Sequence, residues 1–390
     1  MSTLKVDAIR HNSATSDAIT TASDGTCTAK LTGMTGGGQL SHRNKIINGA
    51  MTVSQYNGTS VVTGVNSNGY RIDRWTHQCA SINSAFSVSQ STDSPDGFGN
   101  SYKIDVTTAD TSLSAAHAHF FRQKIEGQNL QDFAKGTSSA KQFAVSFYVK
   151  TNKTGVYTVE LYDVDNNRAI SKIFTVADTN WNRYTIIFPA DTTGAFGNDN
   201  GNSLVLQFFL SAGSNYTNNG TFNNSAWGSV SGKSRVSSSN VNFADSTSNN
   251  WYITGVQLEV GDTATTYEHR SYGEEFARCQ RYYQQYTNIM SVGYVPDNTS
   301  KSYSHGFNFP VEMRAAPTLT VTNTGSSGGQ YVNDGQTNRS ISSLNAHASQ
   351  TSQIEYYFNL SGDLSDYRGA YAVAATSTTY QSIYKITAEL

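Results

Sequence analysis

The chain has 390 residues, more than the roughly 250–300 at which a single hydrophobic core stops growing, so two or three domains are expected. Charged residues make up only 14% and hydrophobic residues 37%, Gly numbers 32 and Tyr (23) outnumbers Phe (18), a polar but uncharged composition of the β kind. A formal net charge of -2 with no Lys/Arg run excludes the phosphate-tracking footprint of a nucleic-acid binder.

The opening Met1-Ser2-Thr3-Leu4-Lys5-Val6-Asp7 lacks the basic and then apolar run of a signal peptide, and no stretch of about 18 apolar residues occurs, so no membrane insertion is expected. Cys27, Cys79 and Cys279 are odd in number, far apart and without metal-ligand spacing. They read as thiols of a chain made in a reducing cytoplasm. Residues 1–44 carry little apolar material beyond Leu4, Val6, Ile9, Ile19 and Leu31, too little to fold alone. Extended at about 3.3 Å per residue such a segment spans on the order of 100 Å, and it reads as an attachment arm, with a disordered terminus as the alternative.

From 45 to 268 the pattern turns to strands. Phe143, Val145, Phe147 and Val149 recur at period two, and after Thr154-Gly155 so do Tyr157, Val159 and Leu161, which predicts a hairpin with one buried face. Tyr184, Ile186 and Phe188 repeat the pattern, as do Leu204, Leu206, Phe208 and Leu210. Trp251 and Ile253 give way to Val256, Leu258 and Val260, a phase change at Gly255 that predicts a bulge. Many short strands with Asn/Gly/Ser turns and no helices between them point to a jelly-roll β-sandwich.

Residues 269–288 break the rhythm: Tyr272, Phe276, Cys279, Tyr283 and Tyr286 fall at spacings of 4, 3, 4 and 3, an a/d seam. Glu274 and Arg278 form an i,i+4 pair, and Glu274 and Glu275 sit where a helix dipole favours acids. A helix this short needs a partner surface, either two other copies of the chain, making a homotrimer, or its own chain. Over 289–390 strands return, with Phe307 and Phe309, Leu319 and Val321, Ile354, Tyr356, Phe358 and Leu360, then Tyr384, Ile386 and Ala388, a second and smaller β-sandwich.

Catalytic chemistry finds no convergent set. A glycosidase pair would be drawn from the strand-borne acids Asp73, Glu126, Glu160, Asp163 and Glu259, but the neighbours of Asp73 and Glu126 read as ion-pair partners. His117 and His119 would share a strand face and suit a metal, but no third ligand is visible, and none is assigned. Asp163-Val164-Asp165-Asn166-Asn167 and Gly197-Asn198-Asp199-Asn200-Gly201 carry Ca²⁺-like oxygens without the bidentate Glu of an EF-hand. They read as Asn/Asp turns, a structural Ca²⁺ being the alternative, and no other cofactor is expected. For sugars, which stack on aromatic faces beside amides and carboxylates, the candidates are Trp227 in its polar loop, Tyr331 with Asn333 and Asp334, and Tyr367 with Asp366 and Arg368. Trp75, Trp181 and Trp251 lie on strand patterns and read as core.

Six stretches together resemble a group of phage tail-fibre and tail-associated proteins of the cyanophage-like, marine type: Asn44-Lys45-Ile46-Ile47-Asn48-Gly49-Ala50-Met51, Gly69-Tyr70-Arg71-Ile72-Asp73-Arg74-Trp75, Arg122-Gln123-Lys124-Ile125-Glu126-Gly127, Thr254-Gly255-Val256-Gln257-Leu258-Glu259-Val260-Gly261, Tyr267-Glu268-His269-Arg270-Ser271-Tyr272-Gly273-Glu274-Glu275, and Cys279-Gln280-Arg281-Tyr282-Tyr283. The resemblance implies a carbohydrate-binding-module-like jelly roll, then a helix and a terminal β-domain. It also implies a virion-facing start at Ser2-Thr3-Leu4-Lys5-Val6, with Leu4, Val6 and Ile9 as attachment residues. The expected protein is a non-enzymatic, homotrimeric tail fibre or spike subunit of the virion. It would dock on a tail adaptor or nozzle protein and bind a host-surface glycan through a C-terminal tip. A structural accessory protein of tail or capsid and a polysaccharide depolymerase are the alternatives.

Overall fold

The computed structural model describes residues 6–10, 12–13, 15–24, 27–29, 41–287, 291–294, 300–324, 330–333, 338–363, 369–374 and 381–390. It is mainly β, and the chain forms two compact units, neither continuous in sequence. The first comprises Met1–Ala50, Thr63–Asn68 and His77–His269; the second comprises Met51–Val62, Gly69–Thr76 and Arg270–Leu390.

In the first unit two antiparallel sheets face each other as a sandwich. One runs in the order Asn182–Phe188, Phe143–Thr151, Asn250–Val260, Ser101–Thr108, Ala85–Ser91. The other runs Gly228–Ser229, Arg168–Val176, Gly155–Asp163, Asn202–Ala212, Ala118–Glu126, Trp75–Ala80. The alternation read from the sequence sets the inner faces: Phe143, Val145, Phe147, Val149, Tyr157, Val159, Leu161, Leu204, Leu206, Trp251 and Ile253 are all fully buried. Each such side chain contributes roughly 1.5–3 kcal/mol on burial. The expected hairpin, however, is not one. Phe143–Thr151 and Gly155–Asp163 enter opposite sheets, the first pairing with Asn182–Phe188 and Asn250–Val260, the second with Arg168–Val176 and Asn202–Ala212. Their apolar faces therefore meet across the core, where Phe147 lies edge-on to Phe208 and Phe174. The bulge at Gly255 is present: its φ is +61°, and the register with Phe143–Thr151 slips between Ser146 and Tyr148.

The stretches that carry the family resemblance do structural work. The Asn44 side chain donates to Val256 O and accepts from the Ile46 and Leu258 amides, Gln123 brackets Ile47 through both its amide atoms, and Glu268 accepts from the Asn44 amide. Ahead of this strap, Ala8–Ile9, Ile19–Thr21 and Cys27–Ala29 form a small three-stranded sheet that leaves Val6 and Ile9 exposed. Leu4 lies outside the described residues.

In the second unit six strands close into a barrel, in the order Ser291–Tyr294, Lys301–Asn308, Gln353–Leu360, Asn338–Ser349, Gln330–Asn333, Gly369–Ala374. A three-stranded sheet, Tyr283–Thr287, Gln381–Thr387 and Thr318–Thr324, packs Leu319, Val321 and Tyr384 against Val332, Tyr356 and Phe358. The helix spans Tyr272–Gln280, capped by Ser271, whose hydroxyl accepts from the Glu274 amide, with Arg278 2.9 Å from Glu274 as expected. It is shorter than the heptad spacing predicts. Tyr283 and Tyr286 leave it for the strand Tyr283–Thr287, whose ladder with Gln381–Thr387 satisfies backbone groups that another helical turn would have used differently. The two-heptad seam is thus reduced to Tyr272, Phe276 and Cys279, of which Cys279 is buried and Tyr272 is 63% exposed.

The core of this unit is polar as well as aromatic. Arg74 lies 3.4 Å from the centroid of the Tyr282 ring and pairs with Glu389, while Tyr56 stacks on Tyr283 at 3.8 Å. Asp73 accepts from the Gln55 amide at 2.6 Å and from its side chain at 2.5 Å. Burial pushes the Asp73 carboxyl up to about 7, against those two hydrogen bonds.

Candidate functional site

Trp227, the leading sugar candidate from sequence, is not available. Its ring is 7% exposed, its indole N–H donates to Pro189 O, and it packs against Phe143. With Phe196 it walls a buried ammonium, that of Lys135, which sits 2.5 Å from Asp163, 3.2 Å from Asp191 and within hydrogen-bond distance of Thr193 O and Gly194 O. A large apolar ring gains more by covering this cage than by facing water, whatever the polarity of its sequence neighbours. Asp163, one of the Ca²⁺-like acids, thus has a cation beside it. Asp165 accepts from the Gly197 amide and Asp199 from the Gly201 amide, as turn residues do. The strand acids are likewise engaged: Glu160 by Arg235 and Gln207, Glu259 by Thr265 and Gln257, Glu126 by Gln128. Tyr331 and Asn333 fall on the strand Gln330–Asn333, and Asp334, Tyr367 and Arg368 lie outside the described residues.

The aromatic surface lies instead on the outer face of the first unit's Phe143-bearing sheet. Alternation that sends Trp251 and Ile253 inward sends Tyr252 outward, and the register places Lys150 and Lys103 on either side of it, in direct cross-strand pairing. Both ammonium groups lie 5.6 Å from the Tyr252 ring centroid. Trp181, read from sequence as core, is half-buried and meets Tyr252 edge-on at 6.1 Å. Its indole N–H donates to Asp93 at 2.9 Å, and Lys150 holds the other oxygen of Asp93 at 2.7 Å. Lys103 pairs with Asp105 at 2.8 Å. Partial burial works to raise the Asp93 carboxyl, but the hydrogen bonds from Lys150 and Trp181 outweigh it and hold it below its ordinary range. For Lys103, burial alone would lower the ammonium, and Asp105 more than offsets it, so it stays charged.

Further along the same face, Tyr148 and Phe98 meet at 5.2 Å, close over Gly255, where a Cβ would come within 2.7 Å of the Phe98 ring and 2.8 Å of the Tyr148 ring. The absent side chain at the bulge makes room for that pair. The outcome is a sheet face carrying half-buried rings, fixed carboxylates and ammonium groups whose charges cancel in pairs. Rings of this kind offer a platform to C–H faces, and the flanking groups offer hydrogen bonds to hydroxyls. On the opposite sheet Thr158, Gln207 and Phe209 of the outer face are buried, Arg235 pairs with Glu160 and lies 4.8 Å from the Tyr162 ring centroid, and Tyr216 packs against Phe209.

No known family model matches the chain, and no curated protein matches it. Among solved structures it is similar to the family 11 carbohydrate-binding module from Clostridium thermocellum in complex with a beta-1,3-1,4-mixed-linked tetrasaccharide, at 11% identity, 55% of this chain, 100% of that one and a TM-score of 0.26. It is also similar to TmCBM61 in complex with beta-1,4-galactotriose, at 10% identity, 56% of this chain, 99% of that one and a TM-score of 0.26. A third is the CBM22-1 xylan-binding domain from Paenibacillus barcinonensis Xyn10C, at 12% identity, 53% of this chain, 99% of that one and a TM-score of 0.25.

Proposed function

We propose that this chain is a glycan-binding attachment subunit of the phage tail-fibre kind, and that its jelly roll binds a neutral, hydroxyl-rich glycan on the face bearing Tyr252 and Trp181. The observation that carries the reading is the cross-strand row Lys150–Tyr252–Lys103 with Trp181 and Asp93 beside it. Pairing of Lys150 with Asp93 and of Lys103 with Asp105 leaves the face locally neutral, which favours an uncharged sugar over a uronate or sulfate ester. The copies act together, as a homotrimer in which Tyr272 and Phe276 remain as seam rings, because linkage adds about 10²–10⁴ in avidity without new contacts. The N-terminal residues would dock on a tail protein, and function is binding rather than hydrolysis.

The test is binding of the full chain to arrays of neutral and acidic bacterial polysaccharides, with Tyr252→Ala and Trp181→Ala as variants. Loss of a central aromatic platform costs about 2 kcal/mol, roughly thirty-fold in affinity. Retention of wild-type affinity by both variants, or preference for acidic polysaccharide, would overturn the assignment. Solution mass by light scattering tests the trimer separately.

A further inference from the structure

The sequence offered His117 and His119 as a histidine pair with no third ligand. The fold supplies different partners. Trp75–Ala80 and Ala118–Glu126 are neighbouring strands, and in the first unit their alternation brings His77 and Cys79 of one beside His119 of the other. His77 Nδ1 and His119 Nε2 are 3.3 Å apart, and one ring nitrogen of each histidine and Cys79 Sγ all lie within 4.8 Å of one another.

We propose that His77, Cys79 and His119 form a buried binding site for a thiophilic first-row metal ion, with Zn²⁺ the fitting member of that class. The geometry is the argument. Two imidazole nitrogens at about 2.0–2.1 Å from a tetrahedral ion stand about 3.3 Å from each other, the separation observed, and the Cys79 sulfur lies near enough to supply a third ligand. A set of two imidazoles and one thiolate is soft enough to select zinc over calcium or magnesium. Both rings are fully buried, and the walls are apolar: Phe86 stacks on His119 at 4.0 Å, while Tyr102 and Phe121 lie 5.4 and 5.8 Å from His77. Cys79 as a residue is half-buried. Binding forms two N–metal bonds and one S–metal bond and breaks the Cys79 S–H bond, whose proton goes to solvent. Oxidation states do not change. The fourth position is left to a water or to an added ligand.

The test uses the reduced full chain and Co²⁺ as a spectroscopic stand-in for Zn²⁺. The expected result is one Co²⁺ per chain, with the near-ultraviolet thiolate-to-cobalt band and intense visible bands of a tetrahedral site, all displaced by Zn²⁺. Cys79→Ser removes the thiolate band and weakens Zn²⁺ binding at least ten-fold. His119→Asn weakens binding further, and His347→Asn, at an exposed ring, changes nothing. His119 is in the core, so Cys79→Ser at the half-buried position keeps the test valid if His119→Asn fails to fold. Absence of the thiolate band in folded wild-type protein, or its survival in Cys79→Ser, overturns the proposal and leaves a hydrogen-bonded histidine pair.

Discussion

Replacing Lys135 by Met keeps most of the side-chain volume and removes one charge from the interior of the first unit. The ammonium and Asp163 are both fully buried and 2.5 Å apart, and Asp191, at 3.2 Å, is 5% exposed. Asp191 keeps its two hydrogen bonds from Arg168, but Asp163 is left with Asn166 alone as a side-chain donor. Thr193 O and Gly194 O lose a donor as well. Removing one member of a buried ion pair costs about 3–5 kcal/mol, because the other charge stays in place without compensation. For a domain of this size each kcal/mol moves the midpoint by roughly 2–4 °C, so Lys135→Met should lower it by about 6–20 °C. Differential scanning calorimetry and urea unfolding followed by tryptophan fluorescence measure it. The adjacent charge predicts a specific epistasis: Asp163→Asn in the Lys135→Met background should restore part of the loss, with a coupling of about 1 kcal/mol or more. A single-mutant cost under about 1 kcal/mol, or strict additivity in the cycle, would refute the reasoning.

Asp73 is raised by burial to about 7, above its unfolded value near 3.8, so folding takes up a proton between those two values. The second unit should therefore be most stable below about pH 4 with respect to this group and lose stability as pH rises to about 7, by at most about 1.4 kcal/mol per pH unit. Denaturant titrations at several pH values, compared with Asp73→Asn, would show that slope flatten in the variant. Gly255→Ala places a Cβ against Phe98 and Tyr148 at a φ of +61° and should cost about 1–3 kcal/mol of stability while disturbing glycan binding. Calorimetry in Ca²⁺ and in EDTA should give the same midpoint for the wild-type first unit, because Lys135 holds the charge beside Asp163; a Ca²⁺-dependent rise would count against that. Tyr272→Ser, at a 63% exposed ring, should leave stability within about 0.5 kcal/mol and show its effect in solution mass alone.

Period-two alternation told which residues of Phe143–Thr151 or Asn202–Ala212 face inward, because that depends only on local geometry. It did not tell which strand lies beside which: the turn after Thr151 reads equally as a hairpin or as a passage between sheets. The start of the helix was legible from Ser271, Glu274 and Arg278, all local signals. Its end was not, since Tyr283 and Tyr286 continue the helical spacing while their pairing with Gln381–Thr387 is decided far away in sequence. Trp227 reads as exposed for the same reason, its loop being polar while its cover, Lys135 and Phe143, comes from elsewhere. Tyr252 and Trp181 had a usable signal in the outward positions between core residues. The meeting of His77 with His119 across 42 residues needed the strand order.

Arg74 and Glu389 are 315 positions apart, and Tyr70 reaches the carbonyl of Leu390. A ribosome therefore finishes the segment around Arg74 long before its counter-ion exists. The second unit closes this pair across a long sequence separation, which gives it high contact order and a correspondingly slow step in folding. A chain lacking Glu389 would bury the Arg74 guanidinium without this carboxylate. Residues 287–390 expressed alone would lack Tyr56, Asp73 and Arg74, and would be a poor stand-in for the unit they belong to.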